Sequence, residues 1–227
     1  MKTILVTLFK RPEFAEQLLS ALEKCYGFSD YQVVVSIDSD PQFFHAVQLV
    51  RDVAKKFADK HSNAQCLFQE KLGIDEHKLW LFKKYFEEQD YLILLEDDCI
   101  PARDFLRYHE WAAKEFENDS LVTLVTGYHK GDIRMEGHRV LQMYEAFLVR
   151  GMNCWGLGIW KDRWEQIIGD ESAYRAFAGR KVNGLFDHYC LKWITEHDTR
   201  MVAPFVSRVQ NLVGDPNTPN AGQNSND

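Results

Sequence analysis

Four runs of aliphatic and β-branched residues, at 3–9, 32–37, 91–95 and 121–126, are apolar almost throughout. Each therefore reads as a strand buried on both faces. Such strands need helices above and below their sheet, and the stretches between them supply candidates. Pro12 suits a first helical position, and Phe14, Leu18 and Leu22 recur every four residues before Gly27 ends the segment. Residues 42–60, 74–88 and 104–117 read as further helices, the last with Phe105, His109, Ala112, Ala113 and Phe116 on one side, and His109 reads as a core-edge histidine. Residues 64–68 form a weaker fifth strand. This alternation predicts an α/β fold with a mostly parallel sheet flanked by helices.

The chain of 227 residues fits one domain, and its 45% hydrophobic and 27% charged content excludes collagenous, low-complexity and wholly disordered classes. With 27 basic against 34 acidic residues, the net charge of −7 repels polyanions and argues against a nucleic-acid binder. The longest apolar runs are too short to cross a bilayer and 3–9 is too short for a signal segment, so no transmembrane segment is expected and only peripheral membrane contact stays open. Five cysteines, odd in number and never spaced Cys-x-x-Cys, suggest neither a disulfide framework nor a thiolate zinc site and point to the cytoplasm.

Past residue 127 the pattern loosens, with glycines at 127, 131, 137, 151, 156 and 158 among aromatics, as expected of loops that carry binding surfaces. Residues 185–197 read as helical again and 201–206 as extended. The polar end, rich in Asn, Pro and Gly, is expected to be mobile over 219–227. No repeat or composition break marks a second domain.

The chemistry concentrates in Tyr91-Leu92-Ile93-Leu94-Leu95-Glu96-Asp97-Asp98-Cys99-Ile100-Pro101, a buried strand ending in three consecutive acids. In an open α/β sheet, ligands bind beyond the carboxyl ends of the strands, and clustered acids there repel unless a cation neutralises them. Hard oxygen ligands favour Mg²⁺ or Mn²⁺ bridging to substrate phosphates. The competing readings are a solvated acidic turn and a helix cap near Asp104. Asp38 closes the second strand and Arg11 follows the first, so both are expected at the same sheet edge. A carboxylate there can accept from a ribose or base, and an arginine can fork onto phosphate. No Walker sequence is present, and Gly156-Leu157-Gly158 lacks the setting of a dinucleotide loop.

These residues resemble the nucleotide-sugar-dependent glycosyltransferases of the GT-A fold, particularly bacterial family 2-like members, with similarity extending to the N-acetylglucosaminyltransferase I group. The resembling blocks are Thr7-Leu8-Phe9-Lys10-Arg11-Pro12, Glu96 to Pro101, Asn153 to Trp164, and 206–218. The resemblance implies one GT-A domain over 1–227, built on a Rossmann-like mixed sheet flanked by helices, with a nucleotide-sugar-binding half (1–126) and an acceptor-binding, catalytic half (127–218). Asp98 looks like the direct metal ligand, for Mn²⁺ or Mg²⁺, and Asp97 like a ribose or metal-shell contact. Glu96 would face the donor sugar, and Arg11 and Asp38 would bind the nucleotide. Lys71 and Gly73 resemble the segment beside the donor. Trp155 and Gly156 resemble the loop at the donor and acceptor junction, for which core packing is the plainer alternative. Trp160 and Trp164 are expected against the sheet.

Asp187 resembles the family's catalytic base, with His188 as second choice and a helix N-cap as its structural alternative. Arg208 or Asn211, in the C-terminal loop, would touch the diphosphate. Many relatives place a histidine a few residues after the glycine of that loop, whereas Pro219 follows Thr218 here. The resemblance thus implies sugar transfer from a nucleoside diphosphate donor, with a UDP-sugar the first choice, to a saccharide or other hydroxyl acceptor, with inversion. A sugar nucleotidyltransferase and a non-catalytic nucleotide-sugar or glycan-binding module are the alternatives.

Overall fold

The computed structural model describes residues 2–129, 146–178 and 185–212. Its centre is a mixed sheet of eight strands in the order β3-β2-β1-β4-β8-β6-β9-β7. The parallel part comprises β1 (Lys2–Leu8), β2 (Tyr31–Ile37), β3 (Ala64–Phe68) and β4 (Tyr91–Glu96). Between them run α1 (Pro12–Leu22), α2 (Phe44–Lys60) and α3 (Ile74–Tyr85). Beyond β4 lie β5 (Cys99–Pro101), α4 (Phe105–Glu115), β6 (Val122–Thr126), β7 (Ala146–Val149) and β8 (Leu157–Trp160). The remaining elements are α5 (Lys161–Ile168), α6 (Glu171–Ala178), α7 (Leu185–Glu196), β9 (Arg200–Pro204) and β10 (Val209–Asn211).

The uniform apolar runs follow from two-sided burial. Along β1, Ile4 and Val6 join a cluster with Leu18 and Leu22 of α1 and Val47 and Val50 of α2, while Leu5 faces the opposite cluster with Phe82, Trp164 and Phe186. Along β4, Leu92 and Leu94 take the second side and Ile93 and Leu95 the first. Side chains one residue apart thus enter different cores, and a polar residue there needs a hydrogen-bond partner, as Ser36 of β2 has.

One expectation needs correction. The stretch from Leu157 to Trp160, read as loop, is a strand at the centre of the sheet, antiparallel to both β4 and β6. Its glycine permits this: a Cβ on Gly158 would lie 1.9 Å from Tyr91 Oη and 2.7 Å from His109 Nδ1. The sheet is accordingly mixed, as the GT-A resemblance implies, with its parallel part confined to β1–β4 and the β6–β9 pair. Trp160 and Trp164 are buried as expected, and His109 is fully buried beside Tyr91, with Oη and Nδ1 2.9 Å apart. The expected tail at 219–227 lies outside the described residues.

Candidate active site

The chain leaves β1 toward β2 on one side and returns through β4 on the other, so the carboxyl ends of β1 and β4 flank a topological switch point. That is where open α/β sheets bind ligands. Arg11 follows β1 and the acidic triplet follows β4. Arg11 forms a two-point ion pair with Asp97, Nε to Oδ2 at 3.0 Å and Nη2 to Oδ1, and reaches Asp98 Oδ2 at 3.3 Å. Burial pushes the Asp97 carboxyl up to about 6, against the pull of Arg11 and with help from Asp98 and Glu96. Burial alone would weaken the Arg11 proton, but Asp97 and Asp98 outweigh it and the guanidinium stays charged.

A cleft of about 500 Å³ opens here, lined among others by Arg11, Asp38, Lys71, Gly73 and Glu96 to Asp98. Asp38, at the end of β2, accepts backbone N–H bonds from Ser39 and Leu72 at Oδ1 and from Gly73 at Oδ2, all at 2.8–2.9 Å. It therefore pins the 71–73 segment to the sheet edge. Gly73 takes φ 82° and ψ 158°, a backbone region essentially restricted to glycine, and no atom lies within 4 Å of where its Cβ would be. Backbone conformation, not space, demands glycine there. Lys71 pairs with Asp40 at 2.6 Å on the exposed rim. Gly73 caps α3, and a helix N-terminus on a cleft wall favours phosphate.

His77, one turn into α3, also lines the cleft and is nearly fully buried, with Nε2 2.6 Å from Ser36 Oγ. Burial pulls its pKa down to about 4, aided by Lys78 and opposed by Asp38, so the ring is neutral near pH 7. Sequence reasoning did not single it out.

Next to it, Lys78 is only 3% exposed and ion-pairs with Glu96. The thiol of Cys154 lies 3.1 Å from Asp187 Oδ2 and 3.5 Å from Glu96 Oε2, linking the base expected on α7 to the acidic turn. Asp187 is the third residue of α7 and so not its cap; Asp75 of α3 does that work, accepting from the Phe186 N–H at 3.1 Å. Burial raises the Asp187 carboxyl, Lys78 lowers it and Glu96 raises it again. Asp187 Oδ1 is buried with no hydrogen-bond partner among the described residues. His188, the second choice for a base, is exposed. Lys78 and Cys154 were also missed, since one lysine on a helix and one cysteine in a loop carry no signal of their own.

Five expected site residues lie off the cleft lining: Asp187, which reaches it through Cys154 and Glu96, and Arg208, Asn211, Trp155 and Gly156. Arg208 Nε pairs with Asp104 Oδ2 at 2.9 Å, and Asp104 sits at the α4 N-cap without a side-chain capping bond. Asn211 is buried in β10, which pairs antiparallel with β5, and the next residue donates its N–H to the Asp98 carbonyl at 2.8 Å. The C-terminal segment thus braces the acidic turn through its backbone. Trp155 packs edge-on against Tyr128, ring centroids 4.5 Å apart. Gly156 has φ 67°, and a Cβ there would lie 2.7 Å from both Phe105 and Val209. Close core packing accounts for this glycine. Among the described residues, no group of three or more His, Cys, Asp or Glu side chains converges as a metal-holding set.

Solved structures share this architecture. A mannosyltransferase from Pyrobaculum calidifontis, PcManGT, in complex with GDP-Man and Mn²⁺, superposes with a TM-score of 0.59 over 92% of this chain and 56% of its own, at 14% identity. S. aureus TarS matches at TM-score 0.61 and 13% identity over 95% of this chain and 37% of its own. Its 1–349 fragment in complex with UDP-GlcNAc matches at 0.57 and 13%, over 92% and 58%. The fold is that of the GT-A glycosyltransferases. The chain spans 56% of the mannosyltransferase's length and 37% of that of TarS. No family model and no curated protein matches the sequence. Among the described residues no helix is long and apolar enough to cross a membrane.

Proposed function

We propose that the chain is a glycosyltransferase that moves a sugar from a nucleoside diphosphate donor, a UDP-sugar by preference, to a saccharide or other hydroxyl acceptor. The observation that carries this reading is the cleft at the β1/β4 switch point, where a buried acidic turn meets Arg11, Lys71 and the α3 N-terminus and connects through Cys154 to Asp187. The neighbours in complex with GDP-Man and Mn²⁺ and with UDP-GlcNAc support the donor class. Kinship with the N-acetylglucosaminyltransferase I group rests on the sequence blocks alone. The five cysteines are free, which fits a reducing, cytoplasmic setting.

The donor set fits a divalent ion. Arg11 and Lys78 offset two of the three negative charges; Asp98 touches Arg11 through Oδ2 at 3.3 Å, and among the described residues its Oδ1 meets the Cys99 thiol, at 3.6 Å. One carboxylate with a residual charge suits Mg²⁺ or Mn²⁺ completed by diphosphate oxygens and water. Asp98 would hold the ion with Asp97 beside it, and its chemistry would be to offset charge on the departing diphosphate. Arg11 and Lys71 add positive charge at the same end. Asp187 Oδ1 takes the proton of the attacking hydroxyl. The new bond forms from that oxygen to the anomeric carbon, the bond to the diphosphate breaks, and its electron pair leaves with the diphosphate. A base on the face opposite the leaving group gives inversion. A positioned base is worth about 10² to 10⁴ in rate.

The test combines thermal shift and turnover with UDP-, GDP- and dTDP-sugars in the presence and absence of Mn²⁺. A donor at about 100 times Kd adds about 2.7 kcal/mol of stability. Asp98→Asn is expected to lose the Mn²⁺-coupled shift, and Asp187→Asn to keep that shift while losing transfer. If no sugar nucleotide stabilises the wild type, the reading fails; full biological effect in Asp187→Asn would indicate a non-catalytic binding module.

A further inference from the structure

Behind the cleft, next to the lining residues His77 and Glu96, sits a buried positive charge without an assigned part in the transfer step. Lys78 lies on α3 between two acids that belong to different halves of the chain, Glu96 at the end of β4 and Asp187 on α7. Its ammonium pairs with Glu96, and it lies 5.8 Å over the ring of Phe186, the residue before Asp187. Phe82, one turn further along α3, stacks on the same ring at 5.9 Å, so α3 and α7 are packed together at this point. Cys154 closes the group, within hydrogen-bond reach of both carboxylates.

We propose that Lys78 is a positioning residue that holds Glu96 and supplies the counter-charge to Asp187, while the Cys154 thiol fixes Asp187 Oδ2 and leaves Oδ1 to receive the acceptor proton. The part played in the reaction rests on Asp187 being the base. Burial without a counter-charge favours a neutral acid, and a neutral acid accepts no proton. Among the described residues, the charged and titratable groups facing Asp187 are Lys78 and Asp75 from α3, Glu96 from β4, Cys154 from the segment before β8 and Cys190 from α7 itself. Lys78 is the cation among them. Burial works against its proton, but Glu96 and Asp187 outweigh that and hold it charged. The Cys154 thiol stays protonated because burial and Glu96 raise it, so it remains a donor.

The test needs no sugar nucleotide. Protein carrying ¹³C-labelled aspartate is titrated by NMR, with the Asp187 signal identified by its loss in Asp187→Asn. In Lys78→Met the Asp187 midpoint is expected to rise by about one to three pH units, whereas Lys78→Arg, which keeps the charge, stays near wild type. An unchanged midpoint in Lys78→Met, or an equal rise in both variants, overturns the proposal. Should Lys78→Met fail to fold, Glu96→Gln gives the same answer: with Asp187 left as the counter-ion of Lys78, its midpoint should fall, and a midpoint that stays or rises overturns the coupling. A wild type that turns over no sugar nucleotide would sink the transferase reading while leaving this titration result intact.

Discussion

At the scale of single residues, the site is governed by how each acid is neutralised. Asp97 is nearly buried and its charge is balanced by a guanidinium that is about a third exposed. Arg11→Met should therefore destabilise the fold by about 1–3 kcal/mol, less than the loss of a fully buried pair because water reaches the outer edge of Arg11. Urea unfolding at pH 7 reads this directly. The acids were legible because three carboxylates after a buried strand are physically costly and demand a reason. Lys78 was not, since a lysine on an amphipathic helix ordinarily reads as solvated, and its burial depends on α7 arriving from more than a hundred residues away. Asp38 shows a middle case: its place at the sheet edge was readable, but both its oxygens accept backbone N–H bonds that no spacing rule reveals.

At the scale of elements, the glycines of the 156–158 stretch separate into distinct demands. Gly156→Ala combines a left-handed φ of 67° with a Cβ driven to within 2.7 Å of Phe105 and Val209. Its expected cost is about 1–3 kcal/mol of overpacking and strain, measured as a lower urea midpoint, and any weakening of donor binding should follow from the shifted β5–β10 ribbon. The helices α1 to α4 and the parallel strands were readable because periodicity and two-sided burial leave local signatures. Strand β8 was not, because its four residues include a glycine and its identity comes from β4 and β6, which flank it. Strand β7, also unanticipated, is a short strand that among the described residues takes its register from β9.

At the scale of the whole molecule, His77 ties the helix layer to the sheet through Ser36 and titrates with the fold. Its folded pKa of about 4 lies below the usual 6.5, so the unfolded chain binds the extra proton between those values. Its contribution to stability is present above about pH 6.5 and is lost as the pH falls toward 4. By pH 5 the loss is about 2 kcal/mol. The stability difference between wild type and His77→Gln should shrink by that amount from pH 7 to pH 5, as read by denaturant unfolding at each pH; a constant difference would show that the ring does not titrate with folding. The α/β class and the position of the cleft followed from the alternation of elements. The order of strands did not, because the choice of neighbours for β4, β6 and β9 rests on contacts far apart in the chain.

The short ribbon made by β5 and β10 gives the molecule a latch. The last described stretch is hydrogen-bonded alongside Cys99–Pro101, and Leu212 grips the carbonyl of Asp98 itself. A pull applied at residue 212 would therefore tug on the carboxylate turn before it disturbed any helix.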